Sequence, residues 1–146
     1  MSSPVELARL QEAVDGYGPV AYFLSVSADG RPHAVEVEVS WVETGDLVVH
    51  PGSGTAANAQ ARPLVSLVWP PTEPGGYSLI VDGAVVTVST AGVGDNTVVV
   101  APTRAVQHRR GRAGDPDARA HGSDCVRVFS KPPVESTPTA GVEAHG

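Results

Sequence analysis

The sequence contains very little cysteine and no long hydrophobic run. Cys125 is the only cysteine among 146 residues, so no disulfide can form within the chain, which is typical of proteins from a reducing cytoplasm. No apolar stretch approaches the roughly 20 residues that a membrane span requires. The N-terminal residues also lack the basic start and apolar block of a signal peptide. We therefore expect a cytoplasmic protein without a membrane partner.

Positive charge is also scarce. The formal net charge is −6, and the ten basic residues include a single lysine, Lys131. Four arginines fall between residues 104 and 112, but no aromatic side chains that could stack on bases are interleaved with them. An acidic chain of this kind argues against general nucleic-acid binding. We expect a small-molecule partner instead.

Length and composition favour one folded domain. A chain of 146 residues that is 41% hydrophobic can bury one core, and one domain is the usual outcome at this length. Residues 131–146 contain prolines and few hydrophobic side chains. We predict a single domain over residues 1–130 and a disordered tail over 131–146.

The first segment has the pattern of an amphipathic helix. Ser3 is suited to cap a helix, Pro4 to occupy its first position, and Glu6 to complete a capping box. Apolar residues then recur on one helical face, at Leu7, Leu10 and Val14. The sequence therefore predicts one helix over residues 3–16.

Strand patterns dominate the rest of the chain. Residues 33–41 alternate strictly between apolar and polar, and the Asp29-Gly30 turn joins them to the apolar segment 19–27. Further strands are predicted over residues 47–50, 64–69, 77–89 with a bend at Gly83, and 96–101, and a short helix over 55–61. This order predicts a mostly β fold: a six-stranded antiparallel barrel with an N-terminal helix and a short mid-chain helix. A β-sandwich is the competing architecture.

No established catalytic motif occurs. The sequence lacks a Gly-x-Ser-x-Gly elbow, a Walker loop, a Gly-x-Gly-x-x-Gly turn after a strand and a His-Glu-x-x-His helix. The histidines show no metal-ligand spacing, and each is better explained as a surface residue or a hydrogen-bonded one. They are His33, His50, His108, His121 and His145. We predict no metal site and assign no catalytic residue.

Three segments have residue types that could contact a ligand. Residues 50–58 form a glycine-rich loop before a helix, which suits an anion but also an ordinary capped connection. Arg31-Pro32-His33 could present a cation and an imidazole to a ligand, or simply form an exposed hairpin end. Residues 102–112 carry arginines that suit phosphate or carboxylate, or that are merely solvated.

The order of these elements resembles the flavin-binding split β-barrels. That superfamily includes pyridoxamine 5′-phosphate oxidase-like proteins and F420-dependent reductases, and the resemblance covers roughly residues 5–103. It is clearest in the turn Asp29-Gly30-Arg31-Pro32-His33 and the strand Pro63-Leu64-Val65-Ser66-Leu67. The resemblance implies a cytoplasmic homodimer that binds FMN or F420 at the subunit interface and acts as an oxidoreductase on a small organic molecule.

The resemblance also implies which residues bind the cofactor. They are Arg31, His33, His50, Ser53, Thr55, Asn58 and Arg104. In the family the phosphate segment reads Ser-Arg-Lys-x-x-Asn, whereas Gly54-Thr55 replaces the Arg-Lys pair here. Arg31, Arg62 or Arg104 could supply the missing counter-charge. Because two charged hydrogen bonds are worth a few kcal/mol, the chain could also bind neither cofactor. The alternative function is a non-catalytic small-molecule-binding or interaction protein on the same barrel.

Overall fold

A computed structural model describes residues 2–92 and 94–111 of the chain. The predicted disordered tail over 131–146, and with it the domain boundary at residue 130, lies outside the described residues. So do Arg112, His121, Cys125 and His145. The statements below concern the described residues.

Eight strands and two α-helices make up the described structure. The strands are β1 (Ser2–Pro4), β2 (Val20–Val26), β3 (Pro32–Glu38), β4 (Ser40–Trp41), β5 (Leu47–Val49), β6 (Leu64–Trp69), β7 (Ser78–Gly92) and β8 (Asp95–His108). A single 3-10 turn spans Leu7–Arg9, and the α-helices are α1 (Leu10–Asp15) and α2 (Ser53–Ala61).

The strands form one curled antiparallel sheet. Seven of them follow the order β3-β2-β6-β7-β8-β5-β4, and β1 adds to β8 outside this path. This confirms the predicted mostly β, antiparallel split-barrel fold. The strand count exceeds the predicted six because the very short β1 and β4 form separate strands.

The core lies on the inward face of the sheet, as the alternating sequence requires. Along β2 the side chains of Ala21, Phe23 and Ser25 are buried, while Tyr22 between them is exposed. Trp69, at the end of β6, is fully buried, and its indole N–H donates a 3.0 Å hydrogen bond to the carbonyl oxygen of Gly18. The aromatic core is therefore anchored to the segment that leads from α1 into β2.

The long ribbon of β7 and β8 bends at Gly83. The pairing register shifts between Asp82 and Gly83, which marks a bulge. A Cβ atom at Gly83 would lie 2.5 Å from Cγ1 of Val100 and 2.8 Å from the carbonyl oxygen of Ala101. Only glycine leaves enough room for β8 to lie this close to β7, which confirms the predicted bend.

The predicted helix over residues 3–16 is wrong in its first half. Ser2–Pro4 forms a strand whose Ser3 pairs with Gln107 of β8, and α-helix begins only at Leu10. The backbone N–H of Val5 also donates to the carbonyl oxygen of Ala105 at 3.3 Å. An open edge of β8 thus recruits residues whose local signals favour a helix, because sheet pairing and burial outweigh propensity.

Other boundaries also differ from the prediction, among them the end of β7 at Gly92 instead of residue 89. The last strand continues past Ala101 to His108. Ala105 and Val106 in this extension are buried. Thr103 has no partner in the ladder and forms a bulge next to Pro102. The expected basic loop after residue 102 is therefore strand as far as His108. The mid-chain helix begins at Ser53, two residues before the predicted start.

Candidate functional site

Helix α2 begins directly after β5 with its N-terminus uncapped by any side chain. Gly52 occupies the capping position, and its carbonyl oxygen accepts a 3.0 Å hydrogen bond from the N–H of Ala56. A Cβ atom at Gly52 or Gly54 would meet no atom within 4 Å among the described residues. Space is thus open beside Gly52 and Gly54 at the first turn of α2, and helix N-termini are places where anions are favoured.

The helix presents two polar flanks. Thr55, Asn58 and Arg62 are spaced three and four residues apart, so they lie along one side, and each is half-buried. Ser53 precedes Asn58 by five residues, which places it about 140° around the helix from Asn58. Ala56 and Ala59 between the flanks are buried in the core. Ser53 and Asn58 therefore do not face the same point.

One flank binds the β2–β3 hairpin. Asn58 donates from Nδ2 to Oγ of Ser25 at 3.3 Å. Arg62 donates from Nε to the carbonyl oxygen of Val26 at 2.5 Å and from Nη2 to Oδ1 of Asn58 at 3.4 Å. Ser25 pairs with His33 in the ladder. This hairpin-side cluster (Ser25, Asn58, Arg62) brings predicted site residues of α2 close to the start of β3.

The other flank meets the start of β8. His50 Nδ1 lies 3.3 Å from both the carbonyl oxygen of Asn96 and Oγ1 of Thr97. Asn96 is only 2% exposed and donates from Nδ2 to the carbonyl oxygen of Pro51 at 3.1 Å and to Oγ of Ser53 at 3.5 Å. This β8-side cluster (His50, Ser53, Asn96, Thr97) fixes the loop from which α2 starts.

Arg31 and His33 lie at the exposed hairpin end. Gly30 adopts φ +82° in the turn, and the Ser27 hydroxyl donates to the Asp29 carboxylate. That hydroxyl, more than the neighbouring groups of Arg31, lowers the pKa of Asp29 below its ordinary value. Nε of Arg31 lies 3.7 Å from the Asp29 carboxylate. The positive charge of Arg31 is therefore already partly balanced by Asp29.

The structure does not place Arg104 beside α2. It lies in β8 eight residues after Asn96, or about 26 Å further along the strand. Its Nη1 forms a 3.2 Å ion pair with Asp82, which also accepts a 2.7 Å hydrogen bond from Ser66. Ser66, Asp82 and Arg104 are paired in register across β6, β7 and β8. Among the seven predicted cofactor residues, His50, Ser53 and Asn58 lie on or beside α2, whereas the ion pair of Arg104 is with Asp82 on β7.

Sequence reasoning missed Ser25 and Asn96. Ser25 carried a usable signal, since it is a polar residue at an inward position of a strand whose other inward residues are apolar. Asn96 carried none, because its partner Pro51 lies 45 residues away. Arg62 was recognised only as a possible counter-charge, although it contacts both Asn58 and the hairpin.

Neither a metal centre nor a membrane-crossing helix is found in the described ranges. Within residues 2–92 and 94–111, no three His, Cys, Asp or Glu side chains converge on a point that could hold a metal ion. In the same residues, neither α-helix has the length and hydrophobicity needed to cross a bilayer.

Comparison with other proteins places the chain in a family. No protein-family model matches it. It is 41% identical over 141 residues to the uncharacterized proteins Mb0449c of Mycobacterium bovis and MT0457 of Mycobacterium tuberculosis, covering 88% of this chain and 96% of each relative. The chain belongs to the family of these two mycobacterial proteins.

Several solved structures of other proteins resemble the fold of this chain. An F420 reductase matches with a TM-score of 0.50 and 20% identity over 61% of this chain and 90% of its own. A Clostridium acetobutylicum protein of the pyridoxinephosphate oxidase family matches with TM-score 0.56 and 7% identity over 73% and 92%. The FAD-binding protein of Mycobacterium smegmatis matches with TM-score 0.52 and 16% identity over 77% and 100%. This chain therefore shares the split-barrel fold of these proteins, which confirms the fold implied by the sequence.

Proposed function

We propose that this Mb0449c-family member binds FMN or F420, with the cofactor phosphate at the N-terminus of α2. The observation that carries the proposal is the uncapped first turn beside Ser53 and Thr55, where Gly52 and Gly54 leave open space. Backbone N–H groups and hydroxyls supply donors for a phosphate there. Neighbours of the same fold include an F420 reductase and an FAD-binding protein.

The residues present supply hydrogen-bond donors for a phosphate but little positive charge to balance it. Gly54 and Thr55 stand where the split-barrel family has arginine and lysine. Arg62 is the cation on the same flank as Thr55, yet its Nε and Nη2 are engaged by Val26 and Asn58. The guanidinium of Arg104 is already paired with Asp82 on β7. We therefore expect weaker cofactor binding than in relatives with the full pair, by a few kcal/mol.

The proposed activity is a cytoplasmic oxidoreductase reaction on a small organic molecule. A bound flavin or deazaflavin supplies hydride transfer, and the protein supplies position and electrostatics. The residues proposed to hold the cofactor are Arg31, His33, His50, Ser53, Thr55 and Asn58. The two clusters of α2 would keep Ser53 and Asn58 in place. No side chain is assigned an acid or base role.

We also propose that the protein is a homodimer joined through the outer face of β2, β6 and β7. This face carries four large apolar side chains that are 42–77% exposed: Val20, Tyr22, Leu64 and Val86. The outer face of an antiparallel sheet is normally polar, and a large exposed apolar patch marks an interaction surface. A second copy of the same face is the partner that two-fold symmetry provides.

Titration of the cofactor-free protein with FMN and with F420 tests the binding proposal. Thr55→Arg restores a positive charge beside the first turn, so FMN affinity should rise, whereas Ser53→Ala should lower it by about 1 kcal/mol. Gln60→Arg is the matched control, because it adds the same charge at an exposed position on the opposite flank. If neither cofactor binds below millimolar and Thr55→Arg rescues nothing, the phosphate site has been lost.

A non-catalytic binding or interaction protein on the same barrel is the second candidate. Two observations favour it: Gly54-Thr55 removes both family cations, and Arg62 is committed to the hairpin. The absorption spectrum of protein purified from its native host separates the candidates. A flavin or deazaflavin band supports the oxidoreductase, and a colourless protein that takes up neither cofactor supports the binding protein.

A further inference from the structure

A cleft of about 390 Å³ lies at the far end of β8, away from α2. One wall is formed by His108, Arg109 and Arg110 as β8 ends, and the other by Pro71, Gly75 and Gly76 in the loop between β6 and β7. Ser78, at the start of β7, also lines it. The volume is within the range of small-molecule pockets.

The cleft concentrates positive charge in an acidic protein. The chain has a formal net charge of −6, yet two arginines and a histidine line this single cleft. Among the described residues that line it, none carries a carboxylate. Such a local excess of positive charge attracts anions against the overall charge of the molecule.

Two of the three basic side chains, His108 and Arg109, have contacts that hold them in position. The guanidinium carbon of Arg109 lies 5.2 Å from the centre of the Tyr77 ring, which is a cation–π contact. His108 Nδ1 lies 3.3 Å from the hydroxyl oxygen of Ser2, and the ladder places Ser78 beside His108. A guanidinium group that is already held in position loses less conformational entropy on binding a ligand than a freely moving one.

The opposite wall leaves backbone accessible. Gly75 adopts φ +80°, a conformation that other residues rarely take. The neighbouring Gly76 donates its N–H to the carbonyl oxygen of Glu73 at 3.0 Å, which keeps the loop compact. The space beside Gly76 is filled, since a Cβ atom there would lie 3.3 Å from Cγ of Glu73 and 3.6 Å from Cβ of Pro71. The exposed backbone of this wall is therefore at Gly75.

We propose that this cleft binds a small molecule bearing a phosphate or carboxylate group, held by the guanidinium groups of Arg109 and Arg110. Arginine forks match both oxyanions bidentately. The site is separate from the proposed cofactor site, because twelve residues of β8, about 40 Å of strand, separate Asn96 beside α2 from His108. The proposal therefore does not depend on cofactor binding.

Titration of cofactor-free, ¹⁵N-labelled protein with inorganic phosphate, and separately with succinate, tests the site. We expect saturable shifts of the Gly75, Gly76 and Ser78 amide signals with at least one of the two anions. The double variant Arg109→Gln/Arg110→Gln should weaken binding by at least about tenfold, since charged hydrogen bonds are lost. Arg9→Gln is the control, because it removes one exposed arginine of the 3-10 turn Leu7–Arg9, where it pairs with Glu12.

The outcomes separate this site from the cofactor site. Saturable shifts confined to the amides of Gly54 and Thr55 would support the α2 site and overturn the cleft. Shifts that stay linear with both anions, or that Arg9→Gln reduces as much as the double variant, would also overturn it. If the double variant does not fold, the single change Arg110→Gln decides, because Arg110 is exposed and its replacement should leave the fold intact.

Discussion

Arg62 at the end of α2 donates from Nε to the carbonyl oxygen of Val26, the last residue of β2, at 2.5 Å. The two residues are 36 positions apart in the chain. The same guanidinium contacts Asn58 through Nη2, so one side chain joins the helix to the hairpin that bears Arg31 and His33. The relative position of the two predicted ligand segments therefore depends on Arg62.

Arg62→Ala should destabilise the fold by about 1.5–3 kcal/mol, because hydrogen bonds from a charged donor are lost and the Val26 carbonyl oxygen loses its partner. Denaturant unfolding followed by circular dichroism measures the change. Arg9→Ala is the control, since an exposed pair such as Arg9–Glu12 contributes at most about 1 kcal/mol. Equal effects of the two changes would show that the Arg62 contacts do not hold the helix to the hairpin.

Gly83→Ala should destabilise the protein by about 1–3 kcal/mol through overpacking. The new methyl group would lie 2.5 Å from Cγ1 of Val100 and 2.8 Å from a backbone oxygen, and the backbone cannot yield easily. Gly92→Ala, at the end of the same strand, is the matched control because its methyl group would meet nothing within 4 Å. In thermal unfolding, the midpoint of Gly83→Ala should lie well below the midpoints of the wild type and of Gly92→Ala. The reverse order would contradict the explanation that β8 lies too close to Gly83 for a side chain.

Leu64→Lys should convert the proposed dimer into a monomer of 15.0 kDa. Leu64 is 77% exposed on β6, so the change leaves the core intact but places a charge in the apolar outer face. Sedimentation or light scattering at micromolar concentration measures the mass. Val42→Lys, at a 40% exposed position after β4, should remain dimeric. A wild type that is already monomeric would remove the dimer proposal.

Asp29 should titrate below the pH at which it does so in an unfolded chain, about 3.9. Its pKa is lowered first by the Ser27 hydroxyl, so the folded protein binds the proton less readily than the unfolded one. The resulting stabilisation is present above the unfolded pKa and is lost as pH falls through the folded pKa. NMR titration of the Asp29 carboxyl should show the lowered pKa, and Ser27→Ala should raise it. An unchanged value in Ser27→Ala would assign the shift to Arg31 instead.

Local patterns predicted the elements whose partners are near in sequence or whose faces are unambiguous. The bounds of β6, residues 64–69, and the buried face of β3 agree with the alternation, and the bend at Gly83 follows from one glycine in a long strand. The helix predicted over residues 3–16, which is helical only in its second half, shows the limit of such patterns. Ser3 and Pro4 have good local reasons to begin a helix, and only the edge of β8, about a hundred residues later, makes them a strand.

In the candidate site, too, local features could be predicted from the sequence, whereas long-range contacts could not. The glycines and hydroxyls of residues 52–55 could be recognised from the sequence, because a loop that enters a helix has a fixed local chemistry. The two flanks of α2 could not, since Asn96 and Val26 approach the helix only through the folding of the sheet. Arg104 was expected only as one of three possible counter-charges for a phosphate. Its pairing with Asp82 across β7 and β8 could not be read from the sequence, because the two residues are 22 positions apart.

The β7–β8 ribbon also has a consequence for the order in which the molecule assembles. Gly92 pairs with Asp95, so this hairpin closes over a very short loop and can zip from its tip at little entropic cost. The pairing of Val49 with Val98, and the contact of Asn96 with Pro51, close loops of more than forty residues. We therefore expect the N-terminal end of α2 to be completed late in folding, on a ribbon that is already formed.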